Sequence, residues 1–120
     1  DKQLLFNIHT YLSEEEILFV RADCFDTISI ASRGDMIYSD PPYDESTVVY
    51  NDKLQKQQFQ IDIANALNLA VKRGVVVFNS NSNTPLVKTL FKDWTRIPIN
   101  VASRIGNVSN KRNAEILMFK

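Results

Sequence analysis

Residues 59–80 constrain the fold more than any other part of the chain. Phe59, Ile63, Ala66, Leu67 and Ala70 recur at helical spacing, so one face of a helix is apolar and has to be covered. Gly74 follows the stripe and reads as a C-cap, because glycine enters the left-handed region at little cost. Next comes VVVFNS (75–80), apolar and β-branched, the pattern of a central strand in a parallel sheet. A helix that leads straight into such a strand specifies an α/β sheet, parallel in its middle.

The flanking segments extend that pattern. KQLLFNIHTYL (2–12) carries Leu4, Leu5, Ile8, Tyr11 and Leu12 at helical spacing, and the helix should stop near SEEE. ILFVRA (17–22) reads as a short buried strand, DCFDTISIAS (23–32) as a loop entering a short helix, and DMIYS (35–39) as a second strand cut by Pro41 and Pro42. DESTVVYND (44–52) reads as a loop. TPLVKTLFKDW (84–94) opens with a Thr N-cap and a Pro at the first helical position. IPINVA (97–102) and AEILMF (114–119) are two last strands with no helix between them, so they should pair antiparallel. SRIGNVSNKRN (103–113), polar and basic, joins them. All 120 residues fit one domain with a modest core.

Composition narrows the function. No apolar run approaches the ~20 residues a membrane span needs. A lone cysteine, Cys24, excludes an internal disulfide and a Cys-rich zinc site, and it reads as a small packing residue in a reducing, cytoplasmic setting. His9 has no ligand partner nearby, so no metal site is expected. The net charge is zero, yet residues 1–52 hold 11 acids and 3 bases while residues 53–120 hold 3 acids and 11 bases. The two halves either attract each other within one fold or present the basic half to a polyanion. The chain opens on Asp1 rather than Met, as a fragment or processed chain would.

One short stretch carries chemistry. In an open α/β sheet, ligands bind beyond the C-terminal ends of the strands, and Asp40-Pro41-Pro42-Tyr43 lies there. The two prolines fix the backbone and lack N–H groups, so nearby carbonyls have fewer local partners and are free to face a ligand. A carboxylate and a carbonyl, beside a tyrosine ring, suit a planar ligand with an exocyclic amine. A Pro-Pro strand stop with a polar turn explains the same spacing equally well.

The sequence resembles a family over roughly residues 17–120. Asp40-Pro41-Pro42-Tyr43 is the D-P-P-Y motif of amino-group methyltransferases. FNSNSNTPLV (78–87) is similar to the S-N-x-x-T segment of Dam-type DNA adenine-N6 methyltransferases, and SRIGNVSNKRNAEILMF (103–119) to their closing R-x-I-x-x…R-x-x-x-E-L-L hairpin. ADCFDTI (22–28) lies where that family has an acidic and an aromatic residue against the cofactor. The resemblance implies a partial Rossmann-like methyltransferase sheet with a C-terminal antiparallel β-hairpin. It also implies S-adenosyl-L-methionine as cofactor and double-stranded DNA as partner. By position, Asp40, Pro41, Pro42 and Tyr43 would be catalytic, and Asp23, Phe25 and Asp40 would contact the cofactor. Arg104, Asn107, Lys111 and Arg112, in the hairpin loop, would meet DNA phosphates.

The resemblance also sets a limit. Such enzymes carry a Gly-rich loop that lets the backbone approach the cofactor. Here Gly34, Gly74 and Gly106 stand far apart, with no G-x-G. Residues 1–120 therefore resemble the C-terminal part of the catalytic domain, whose missing N-terminal half, on the same chain or a partner subunit, would be needed for activity. An inactive remnant serving as a nucleic-acid-binding or interaction module, and an RNA amino-group methyltransferase, are the alternatives.

Overall fold

The computed structural model describes residues 1–14, 16–43, 53–102 and 112–120. Its elements are α1 (Lys2–Glu14), α2 (Cys24–Ile30), β1 (Met36–Ser39), α3 (Lys53–Lys72), β2 (Val76–Ser82), α4 (Pro85–Leu90), β3 (Thr95–Ala102) and β4 (Arg112–Phe119). The four strands form one sheet in the order β1-β2-β4-β3. β1 and β2 run parallel, with Met36 opposite Val76 and Ser39 opposite Asn79. β4 lies antiparallel to both neighbours, with Ser82 opposite Glu115 and Thr95 opposite Phe119. The α/β class, a parallel β1-β2 pair and the terminal antiparallel hairpin follow the sequence reading, whereas the middle pair of this sheet, β2-β4, is antiparallel.

The junction between α3 and β2 forms as its sequence dictates. Gly74 takes φ +90°. Its N–H donates to the Val71 carbonyl at 2.9 Å, and the Val75 N–H donates to the Ala70 carbonyl at 3.2 Å. Those two bonds make a Schellman motif, and Ala70 and Val75, both buried, supply its apolar contact. α3 then lays Ile63, Leu67 and Ala70 over the sheet, where Val77, Ile116 and Met118 complete the core with Val87, Phe91 and Trp94. The Trp94 indole N–H donates to Asn68 Oδ1 at 2.9 Å, tying the end of α4 back to α3. Arg73 reaches from the end of α3 to the carbonyls of Ile28 (2.7 Å) and Ala31 (3.0 Å). A cation there satisfies orphan acceptors at the C-terminus of α2 and complements its dipole.

Several expectations need correction. Residues 17–22 form no strand. A strand needs a ladder partner, and among the described residues none lies on the outer edge of β1. Leu18, Phe19 and Val20 are accordingly 83%, 73% and 65% exposed. The 2–12 helix forms as expected but buries none of its residues. α4 ends at Leu90, short of Trp94, because Phe91 leaves helical geometry (φ −112°, ψ 32°) and turns its ring into the core against Trp94. Arg112 is not in the hairpin loop; it opens β4, opposite Ala102. Cys24 is exposed rather than packed. The 44–52 loop lies outside the described residues.

Leu67 is wholly buried at the centre of this packing. Leu67→Ala is expected to cost about 2–5 kcal/mol through lost burial and a residual cavity, read as a lowered urea midpoint with unchanged slope.

Candidate active site

β1 and β2 end side by side, and the N-terminal part of β4 meets the same edge because it runs the other way. The chain leaves β1 at Ser39 and enters Asp40-Pro41-Pro42-Tyr43 on that edge. Asp40 is exposed and Pro41 is buried. Asp40, Pro41 and Pro42 line a cleft of about 430 Å³ together with Val20, Ala22, Cys24, Thr27, Ile28 and Phe59. The fold thus brings Ala22, Cys24 and residues 40–42 to one site. Its walls are largely apolar, with the Asp40 carboxylate among the few charged groups, which suits a flat heteroaromatic ring carrying a hydrogen-bond donor.

The residues expected at the cofactor occupy defined places. Asp23 is the N-cap of α2, and its Oδ1 accepts from the Phe25 N–H at 2.8 Å. Phe25 packs edge-on against Phe59, with ring centroids 5.8 Å apart. Neither lines the cleft directly; their neighbours Ala22 and Cys24 do. The Cys24 thiol is pushed up from its ordinary pKa by partial burial and then by the charge of Asp23. It stays protonated at neutral pH, which argues against a nucleophilic role. No group of His, Cys, Asp and Glu able to hold a metal exists among the described residues. Arg104, Asn107 and Lys111 lie outside them.

Three supporting contacts went unassigned at the sequence level. Tyr43 turns its hydroxyl toward Ser80 on β2 and Glu115 on β4, with Asp40 nearby. Its pKa is raised, first by burial and then by the negative charge of Glu115, while Ser80 opposes the shift by hydrogen bonding. On the other face of the sheet, the Asn81 amide donates to Gln60 Oε1 at 2.8 Å. Gln60 Nε2 in turn donates to the Pro42 carbonyl at 2.7 Å. Asn81 and Glu115 lie inside the motifs quoted above. Gln60 has a subtler signal, a polar residue one turn before Ile63 and Ala64 on the inward face of α3.

Comparison with known proteins gives the family. Residues 1–105 match the model of the D12 class N6 adenine-specific DNA methyltransferases. The chain belongs to that family. It is 28% identical over 117 residues to the type II methyltransferase M1.LlaDCHI of Lactococcus lactis subsp. cremoris, covering 93% of this chain and 41% of the relative. It is 31% identical over 88 residues to the retron Ec67 DNA adenine methylase of Escherichia coli, covering 73% of this chain and 31% of the relative. The chain therefore spans well under half the length of these curated relatives.

Tyr43 provides a direct check on this geometry. Its phenol is expected to titrate above the ordinary value of about 10, and Glu115→Gln should lower that pKa part of the way, leaving the effect of burial. Absorbance titration of each protein against its Tyr43→Phe counterpart reads this. Because the folded pKa is raised, the linked stability is full below pH ~10 and is lost as pH rises through the folded value.

Proposed function

We infer that this chain is the C-terminal catalytic portion of an adenine-specific DNA methyltransferase. The observation that carries this reading is the cleft in which Asp40, Pro41 and Pro42 meet Ala22 and Cys24 at the C-terminal end of β1. Its apolar walls fit the adenosine part of S-adenosyl-L-methionine, which supplies the activated methyl group when bound. With Gly34 and Gly74 far apart, the described residues offer little backbone cradle for the methionine part.

The roles follow from chemistry. Asp40 and the Pro41 carbonyl accept hydrogen bonds from the N6 amine of a target adenine. That amine is a poor nucleophile because its lone pair is delocalised into the ring. Holding both hydrogens would favour a more tetrahedral nitrogen and free its lone pair toward the sulfonium methyl that the cofactor would supply, the S–CH3 pair returning to sulfur as the N–CH3 bond forms. Positioning and fixed dipoles supply most of the acceleration. Asp40 need not be a strong base, because the proton leaves after the nitrogen has become cationic. Tyr43, with Ser80 and Glu115 within electrostatic reach of its phenol, offers a ring to stack on a base taken out of the duplex. Asp23 and Phe25 shape the rim where the cofactor's adenine sits. Arg104, Asn107, Lys111 and Arg112 contact phosphate and add affinity without sequence information.

The rest of the catalytic domain completes the site. The outer edge of β1, which pairs with no strand among the described residues, and the exposed Leu18, Phe19 and Val20 are surfaces that further strands would cover. In a protein that includes the N-terminal portion, N6-methyladenine should form in duplex DNA, read by mass spectrometry of digested product. Asp40→Ala should lower the rate by on the order of 10²–10³-fold or more. The 120-residue chain alone should methylate nothing. Micromolar binding of S-adenosyl-L-methionine to it in calorimetry would contradict the incomplete-site reading. Activity on RNA and not DNA would move the substrate assignment.

A further inference from the structure

We propose that Gln60 is a positioning residue that sets the Asp40–Tyr43 turn through the Pro42 carbonyl. The inference rests on the methyltransferase reading above and extends it to a helix the sequence motifs do not touch.

A turn containing Pro41 and Pro42 has two fewer backbone N–H groups with which to anchor itself. It has carbonyls to offer, so a donor from outside is the available means of fixing it. Gln60 Nε2 is that donor, at 2.7 Å from the Pro42 carbonyl and 18 residues away in sequence. The orientation of the Gln60 amide is itself determined. Asn81 Nδ2 donates to Gln60 Oε1 at 2.8 Å, so the nitrogen must face Pro42. Asn81 is fixed in its turn, because its Oδ1 accepts from the Ser82 N–H at 2.8 Å. Gln60 and Asn81 are both 0% exposed, so water does not compete for these bonds.

The result is a relay from the end of β2, through α3, to the turn. Since the proline rings hold φ near −65°, fixing the Pro42 peptide plane limits how far Pro41 and Asp40 can swing. The relay thereby aims the two acceptors offered to the amine. A glutamine that served packing alone would not need its nitrogen directed at this carbonyl.

Gln60→Met keeps the approximate side-chain length and removes both hydrogen bonds. Gln60→Glu keeps an acceptor for Asn81 and, assayed at a pH where the buried carboxyl is ionised, cannot donate to Pro42. In the protein carrying the whole catalytic domain, both variants should lower kcat by on the order of 10- to 100-fold, as a small misplacement of reacting groups does. KM for DNA should stay within about threefold. A kcat for the folded protein within about twofold of wild type overturns the proposal, and Gln60→Glu decides if Gln60→Met does not fold. Two structural readouts stand apart from activity. The ¹³C resonance of the Pro42 carbonyl should move in either variant, and a Gln60 side-chain amide proton should be protected from exchange in the wild type. Exchange as fast as that of an exposed glutamine overturns the relay whatever the variants do. Absence of methylation by the wild type, with the amide protected, counts against the function and leaves the relay standing.

Discussion

α3 and β2 bury each other. Leu67 and Ala70 on the helix and Val77 on the strand are closed to solvent, and burying Leu67 and Val77 contributes roughly 1.5–3 kcal/mol each. The Schellman turn at Gly74 sets the angle at which helix passes into strand. The rest of the layer follows from that seam. β1 pairs with β2 on one side and β4 on the other, α2 is clamped to the end of α3 by Arg73, and Trp94 is tied to α3 through Asn68.

The same seam becomes polar toward the edge that carries Asp40-Pro41-Pro42-Tyr43. Along the helix-facing side of β2, Val77 gives way to Asn79 and Asn81, all fully buried. Burying an amide costs free energy unless it is hydrogen-bonded. Asn81 meets that cost through Gln60 and Ser82. Asn79 has no partner among the described residues. Polar groups placed where packing would favour apolar ones are common where function overrides stability. The turn from Asp40 to Tyr43 is thus held by Gln60 on the helix-facing side, with Ser80 and Glu115 close to the Tyr43 phenol on the other.

Much of this was legible in the chain. The stripe from Ile63 to Ala70, Gly74 and the β-branched run after it gave α3 and β2 from period and composition. Thr84-Pro85 marked the start of α4. Asp40-Pro41-Pro42-Tyr43 marked the turn, three of whose residues line the cleft. The failures share a cause. ILFVRA has the apolar content of a strand, but a strand is a pairing, and its partner is not among the described residues. Cys24 has the size of a core residue, yet it follows the N-cap Asp23 at the mouth of a cleft.

Local chemistry was therefore determined by the sequence: helix stripes, caps, the proline-stiffened turn and the residue types able to hold an amine. Juxtaposition was decided only by tertiary structure. Gln60 and Pro42, 18 residues apart, or Tyr43 and Glu115, in different elements, meet because β2 carries the chain back between β1 and β4. Period and propensity act over a few residues, whereas these contacts depend on how the apolar faces of α3 and the sheet close on each other. Which carbonyl is held, and by which donor, follows from that closure.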